Sequence, residues 1–257
     1  MRHLRGSARA GIVFGELSLT LYSLVLVVGA LAGAVSAIAG FGVGSLLTPL
    51  LLSTVNARAA VAAVAIPHAI GTALRLWRLR TEVAFDVLRG FGMASALGGL
   101  AGAVIFTRVR SALLAAILGA LLAVVGTIQL GGWATRFRMP GPWAWLAGAA
   151  SGFFGGLVGN QGGLRSAGLL TFGLTPRQFV ATAAAIALMV DCVRVPVYVL
   201  TEREALARMW IVMMVATVGV VAGTFAGTGL LLRLSERTLA RAIGIVLIVL
   251  GASLLVS

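Results

Sequence analysis

The 257-residue chain is 60% hydrophobic, has only 11% charged residues and carries a net charge of +13. A soluble domain has about 25% charged residues, so this composition excludes a typical soluble protein and predicts an integral membrane protein. All 20 lysine-or-arginine positions are arginine. Most of these arginines lie in short segments between apolar runs, which indicates contact with lipid headgroups and no nucleic-acid partner.

Long uncharged runs predict the membrane-spanning helices. A helix needs about 20 residues to cross the hydrocarbon core, and shorter runs can cross if flanking arginines extend towards the interface. We therefore expect an all-α, multi-pass protein with about eight transmembrane helices. The four long uncharged runs are 17–57, 111–135, 139–164 and 209–232, and the shorter ones are 59–74, 90–107 and 242–257.

The first 16 residues are basic and precede an apolar run, as in a secretory signal peptide. The run that follows is longer than the core of a signal peptide and belongs to the repeat described next. We therefore expect it to be retained as the first span, with residues 1–16 as a cytoplasmic segment.

The chain contains an internal duplication. A shift of 119 residues superimposes AGAVSAIAGFGVGSLLTPLLL on SGFFGGLVGNQGGLRSAGLLT. Each half reads as a long helix, a glycine-rich break, a short apolar stretch and three more helices. This pattern predicts a first repeat at 17–130, a linker at 131–142 and a second repeat at 143–257. The shift pairs Gly40 with Gly159, Gly44 with Gly163, Arg58 with Arg177, and Arg75 with Arg194.

Duplicated halves are common in secondary transporters, where substrate sites form near the bilayer midplane at broken helices. The stretches 43–52 and 162–171 have ten residues each, enough for about half of the hydrocarbon core. We therefore expect that they do not cross, so that each half has four spans and the duplication is parallel. That topology places Arg58 and Arg177 outside, and Arg78 and Arg203 in the cytoplasm.

The glycine-rich breaks GFGVGS and GNQGGLRS are candidate substrate sites. Glycine lets the backbone leave the helix, and the next half-helix then offers free N–H groups and a positive dipole end that bind anions. Arg165 strengthens this interpretation, because a guanidinium inside a membrane usually marks a substrate path or an ion pair. Two alternatives stay open: the glycines serve close helix packing, and Arg165 extends to an interface. The candidate residues are Gly44, Ser45, Asn160, Gln161, Gly162, Gly163, Arg165 and Ser166.

A second polar group lies on the predicted helix 179–200. Asp191 and Arg194 are three residues apart, so they share a helical face and can pair. We expect Arg194 and Arg75 to attract an anion, and Asp191 or His68 to take up a coupling proton. The alternative is an Asp–Arg pair that only holds helices together. The 119-residue shift maps Ala187, Asp191 and Arg194 onto His68, Thr72 and Arg75.

These residues and motifs resemble the TauE/SafE family of sulfite and organosulfonate exporters over nearly the whole chain. The resemblance rests on the repeated break and apolar stretch, here GFGVGSLLTPLLL and GNQGGLRSAGLLTFGLTPRQFVAT. The family's usual break reads GIGGG, then a hydrophobic residue and Pro; the first half keeps Pro49, whereas the second has Gly168. The resemblance implies a cytoplasmic-membrane transporter that moves small sulfur-containing anions outward.

We therefore expect a secondary transporter that exports sulfite, sulfoacetate or a similar anion by alternating access. The chain has no GxxxxGK[ST] motif, so an ion gradient is the expected energy source. A passive anion channel is the alternative. No catalytic triad, carboxylate pair or HExxH motif predicts an enzyme, and no Cys/His cluster predicts a metal or another cofactor. The expected surroundings are the lipid bilayer, and a homodimer stays open.

Overall fold

The computed structural model of the chain describes residues 4–132, 142–231 and 236–256. Regular structure in these ranges is helical throughout. Most of the predicted linker 131–142 lies outside the described residues, as do the first three residues of the N-terminal segment. The helices are α1 (Leu4–Ala39), α2 (Val43–Leu52), α3 (Ala57–Leu79), α4 (Phe85–Val87), α5 (Met93–Phe106), α6 (Ser111–Leu130), α7 (Pro142–Val158), α8 (Gly162–Leu169), α9 (Pro176–Thr201), α10 (Arg203–Arg208), α11 (Trp210–Leu231) and α12 (Glu236–Val256).

Within the described ranges, five helices are long and apolar enough to cross a membrane. They are Leu19–Ala39, Ala57–Glu82, Phe85–Phe106, Ser111–Leu130 and Pro176–Thr201. Shorter apolar helices cover Val43–Leu52, Trp143–Val158, Trp210–Ala226 and Ala240–Val256. The all-helical membrane architecture agrees with the sequence, whereas the total of eight spans stays a prediction.

Helices in the two halves start at positions 119 residues apart. The segment α2 begins at Val43 and α8 at Gly162. The preceding breaks contain Gly40 and Gly159, whose φ angles of 76° and 75° are favourable only for glycine. Both α3 and α9 begin after a side-chain cap. The Asn56 side chain accepts from the Ala59 N–H, and the Thr175 side chain accepts from the Gln178 N–H.

Helices α3 and α9, which the 119-residue shift superimposes, pack antiparallel. Their contacts join the start of one helix to the end of the other. A parallel duplication would orient these equivalent helices alike, so the predicted parallel arrangement is wrong. That prediction counted full crossings only and ignored the direction in which the ten-residue α2 carries the chain. From one end to the other, the contacts are Arg58 with Glu202, His68 with Asp191, and Glu82 with Arg177.

The equivalent helices α6 and α12 are also antiparallel. Gly119 packs on Gly251, and Gly126 packs on Gly244 seven residues later, so the contacts advance along one helix as they retreat along the other. By contrast, α1 runs parallel to α11 and α5 runs parallel to α7, both at glycine-lined contacts. Many glycines of this chain therefore serve close helix packing, as one of the sequence alternatives stated.

For two pairs of arginines, the predicted placement on opposite sides of the membrane is wrong. Arg58 lies 3.8 Å from Glu202, directly before Arg203, although the sequence topology separated Arg58 and Arg203 across the membrane. Arg78 and Arg177 line one cavity, although they were also placed on opposite sides. The antiparallel packing of α3 and α9 explains both corrections.

Candidate functional site

The two glycine-rich breaks face each other. A Cβ atom on Gly44 would lie 2.3 Å from the carbonyl oxygen of Gly159, so the start of α2 packs directly on the second break. Ser45 Oγ donates to Asn160 Oδ1 over 3.4 Å. Together these contacts bring the starts of α2 and α8, which lie far apart in sequence, into one location.

A small cavity lies between these helix starts. Its volume is about 10 Å³, which is enough for about one water molecule. Helix starts carry N–H groups without partners in the helix and a positive dipole end. The cavity therefore receives positive potential from both halves of the chain. Predicted site residues on its wall are Gly44, Ser45, His68, Asn160, Gln161, Gly162 and Arg165.

Arg165 is the main cation of this cavity. Its side chain is 1% exposed, and Nη2 donates to the carbonyl oxygen of Gly40 over 2.7 Å. Among the described residues, Nε and Nη1 have no hydrogen-bond partner, and we call these two atoms the open nitrogens of Arg165. Buried guanidinium nitrogens normally find acceptors, because leaving one without a partner costs at least ~1–3 kcal/mol. The open nitrogens are thus suited to an anion that the protein itself does not supply.

Two amide side chains add to this polar wall. Asn160 Nδ2 and both polar atoms of the Gln161 amide are buried without a partner in the described part of the chain. An amide NH₂ donates and an amide oxygen accepts, so the pair can bind the oxygens of an anion and a proton on it.

Next to the cavity lies a chain of three charged or titratable groups. His68 Nδ1 lies 2.7 Å from Asp191 Oδ2. Arg194 donates to Asp191 Oδ1 from Nε over 2.8 Å and from Nη2 over 2.7 Å. The third Arg194 nitrogen, Nη1, donates to the carbonyl oxygen of Gly155 over 2.6 Å. The predicted pairing of Asp191 with Arg194 is therefore present.

These contacts give Arg194 a role different from that of Arg165. Gly155 and Gly156 belong to the last turn of α7, directly before the break. The Gly155 carbonyl accepts from both the Gly159 N–H and Arg194, and the Gly156 carbonyl accepts from the Tyr198 hydroxyl. Since every nitrogen of Arg194 has a protein partner, it supports the break and holds Asp191 in place.

Arg75 occupies a separate environment. Its Nη2 donates to Thr72 Oγ1 over 2.9 Å, while Nε and Nη1 have no partner within the described ranges. Arg75 lines a second, larger cavity of about 460 Å³ together with Arg78 and Arg177. Arg75 also interacts electrostatically with Asp191 and Arg165.

The buried charges of the described residues are unequal. Arg75, Arg165 and Arg194 are each at most 3% exposed, and Asp191 is the buried carboxylate near them. Three cations and one anion leave an excess of positive charge inside the protein, where it is costly without a counter-ion. This imbalance favours an anionic ligand.

Comparison with known families identifies the chain. A family model described as sulfite exporter TauE/SafE matches residues 25–254. The chain belongs to the TauE/SafE family. No curated protein and no solved structure matches it. As a TauE/SafE protein it is a multi-pass membrane transporter and not an enzyme, with the lipid bilayer around it and a small anion as substrate.

The TauE/SafE structure divides the predicted site residues into three groups. Most of them line the small cavity, Arg75 lines the larger one, and Asp191 pairs with Arg194. Two further predicted residues belong to none of these groups. Gly163 packs on Val125 of α6, and the Ser166 hydroxyl is buried with no partner among the described residues.

Four residues of this TauE/SafE protein were not singled out from the sequence. Phe41 contributes to the small cavity, and Arg78 and Arg177 to the larger one. Tyr198 follows Arg194 by four residues, so helical spacing could have placed it on the same face. Arg78 and Arg177 gave no such signal, because they lie in different halves and meet only through the antiparallel packing of α3 and α9.

Proposed function

We propose that this protein exports small sulfur-containing anions such as sulfite or sulfoacetate across the cytoplasmic membrane by alternating access. In this proposal the chain forms two inverted halves, each of which crosses the membrane an odd number of times and contains one half-helix, α2 or α8. The antiparallel packing of α3 on α9 and of α6 on α12 supports the inversion. Inverted halves that meet at broken helices are a common construction for secondary transporters.

The observation that carries the proposal is the pair of open nitrogens of Arg165 at the small cavity. Each can donate a charge-assisted hydrogen bond to an oxygen of an oxyanion. Sulfite and sulfonate groups present such oxygens. In the proposed complex, Arg165 donates to one oxygen of the anion, and the Asn160 and Gln161 amides and the starts of α2 and α8 bind the rest. Gly44, Ser45 and Gly162 form the surrounding wall.

The cavity in this structure is too small for the proposed substrate. It holds about one water molecule, whereas sulfite has four heavy atoms. Substrate binding therefore requires the facing breaks to separate. Both breaks contribute residues to this contact. When the breaks separate towards one side of the membrane, the small cavity becomes accessible from that side only.

We assign the coupling role to His68. Its ring lines the small cavity, and Nδ1 contacts Asp191. A histidine that gains a proton here becomes a further cation beside the anion, stabilised by the adjacent carboxylate. Proton binding and anion binding would thus favour each other. Asp191 acts in this scheme as the fixed partner of His68 and Arg194.

A transport assay with two Arg165 variants tests the proposal. Purified protein is reconstituted into liposomes that are loaded with sulfite, and sulfite efflux is measured with and without a proton gradient. Arg165→Gln removes the charge and the open donors, so we expect transport to fall at least about tenfold, since a charge-assisted contact is worth ~1.5–3 kcal/mol. Arg165→Lys keeps the charge without the guanidinium donors and should retain partial activity.

Folding of both variants is checked by size-exclusion chromatography. Transport by folded Arg165→Gln at more than a third of the wild-type rate would contradict the assigned role. Flux that does not saturate and ignores the gradient would instead favour the passive channel.

A further inference from the structure

The larger cavity lies at the end of the α3–α9 pair where Glu82 contacts Arg177. Its walls come from the end of α1, the last turns of α3, the first turn of α9 and Thr224 of α11. Its volume of about 460 Å³ falls in the usual range for small-molecule sites, roughly 300–1,000 Å³. The small cavity between the breaks is a different space with a different lining.

Three arginines line this larger cavity. Arg75 lies deepest, at 3% exposure, and its Nε and Nη1 lack a partner in the described part of the chain. Arg78 is held in place by stacking on the Phe225 ring, at 5.2 Å from its centroid. Arg177 is exposed at the opening, where its only ion pair in the described ranges is with Glu82 at 3.6 Å. The charged groups on the wall are therefore cationic from the opening to the inner end.

The remaining lining is mostly apolar, with Ile38, Leu79 and Val180 between the arginines. An apolar wall lowers the local dielectric and strengthens the attraction of the arginines for an anion. The first turn of α9 adds its positive dipole end. Arg75 also acts electrostatically on Arg165 of the small cavity.

We propose that Arg75, Arg78 and Arg177 form a second anion-binding site, which holds an oxyanion group before it enters the small cavity or after it leaves. This inference rests on the proposed function, because it gives that function an entry or exit site. A free sulfite or sulfonate and a lipid phosphate share the required chemistry. The experiment below distinguishes these two sources.

Calorimetric titration of sulfite into protein in phosphatidylcholine nanodiscs tests the second site. Wild-type protein should bind two anions per chain. Arg78→Gln and Arg177→Gln should each weaken one of the two events about tenfold, and Arg165→Gln should remove the other. Arg80→Gln is the matched control, because Arg80 lies on the same end of α3 but bonds the Trp77 carbonyl outside the cavity wall. In transport, Arg78→Gln should raise KM several-fold with little change in kcat.

Nanodiscs that contain phosphatidylglycerol identify the source. Two events in this lipid identify a free anion as the ligand. A lipid phosphate is identified as the ligand if two results occur together. The second binding event is lost in this lipid, and phospholipid co-purifies with the wild type but not with the Arg78→Gln/Arg177→Gln double variant.

A single binding event in both lipids overturns the second site, as does an equal effect of Arg80→Gln. If that single event depends on Arg165 and transport persists, only this inference fails. If sulfite neither binds nor is transported, the proposed function fails as well.

Discussion

Replacement of Asp191 by Asn tests whether the buried charges depend on one another. Asp191 accepts two hydrogen bonds from Arg194, at 2.7 and 2.8 Å, and contacts His68 at 2.7 Å. Asn keeps the shape and one acceptor but removes the negative charge. The Arg194 guanidinium then stays buried at 1% exposure without a counter-ion.

The expected cost follows from the burial of both partners. Breaking a buried ion pair by removing one member destabilises a protein by ~3–5 kcal/mol, because the other charge is left uncompensated. For a chain of this size, 1 kcal/mol corresponds to about 2–4 °C in melting temperature. We therefore expect Asp191→Asn to melt roughly 6–20 °C below the wild type. Arg194→Gln should behave similarly, since it leaves Asp191 without its cation and removes one of the two donors to the Gly155 carbonyl.

The double variant Asp191→Asn/Arg194→Gln provides the control. It contains neither charge, so it should be more stable than either single variant despite carrying two changes. Melting is followed in detergent by the fluorescence of the five tryptophans. A single variant that melts within about 1 °C of the wild type would refute the reasoning, as would a double variant less stable than both singles.

Two further predictions concern the break and the coupling residue. Gly44→Ala places a methyl group 2.3 Å from the Gly159 carbonyl oxygen and should sharply reduce the yield of folded protein in size-exclusion chromatography. Gly29→Ala is the control, because its methyl group would lie 3.1 Å from the nearest atom and should leave the yield unchanged. Equal yields of the two variants would argue against the tight contact between the breaks. His68→Gln keeps a hydrogen bond to Asp191 but cannot be protonated. Sulfite efflux should therefore lose its response to the proton gradient, while the melting temperature changes little. An unchanged response to the gradient would remove His68 from the coupling mechanism.

Local spacing was sufficient to predict several features. The breaks were predicted from glycines, and α1 and α2 are separated at Gly40 by a φ of 76° that only glycine adopts easily. The pairing of Asp191 with Arg194 followed from three-residue spacing on a helix. Both inferences depend only on backbone geometry within a few residues, so the type and spacing of neighbouring residues are enough to make them.

Features that depend on distant packing were predicted incorrectly or not at all. The direction of α2 decides whether the halves are parallel or inverted, and ten residues give no local signal of direction. The sequence also grouped Arg75 with Arg194 because the repeat makes them equivalent. The residue three positions earlier is Thr72 in one case and Asp191 in the other. Arg194 is therefore neutralised by a carboxylate, whereas Arg75 has only a hydroxyl partner.

The two ends of the α3–α9 pair differ in a way that fits alternating access. Arg58 and Arg177 are equivalent by the 119-residue shift, and each contacts a glutamate of the other helix. Arg58 is additionally held by the Thr107 and Val109 carbonyls, at 2.8–3.1 Å, while Arg177 is exposed beside the larger cavity. Burial raises the pKa of Glu202, and Arg58 opposes this shift. As the pH falls, Glu202 therefore takes up a proton at a higher pH than an ordinary glutamate does, and its ion pair with Arg58 is lost there. In the proposed mechanism the inverted halves exchange these two arrangements, so that the Arg58 end opens as the Arg177 end closes.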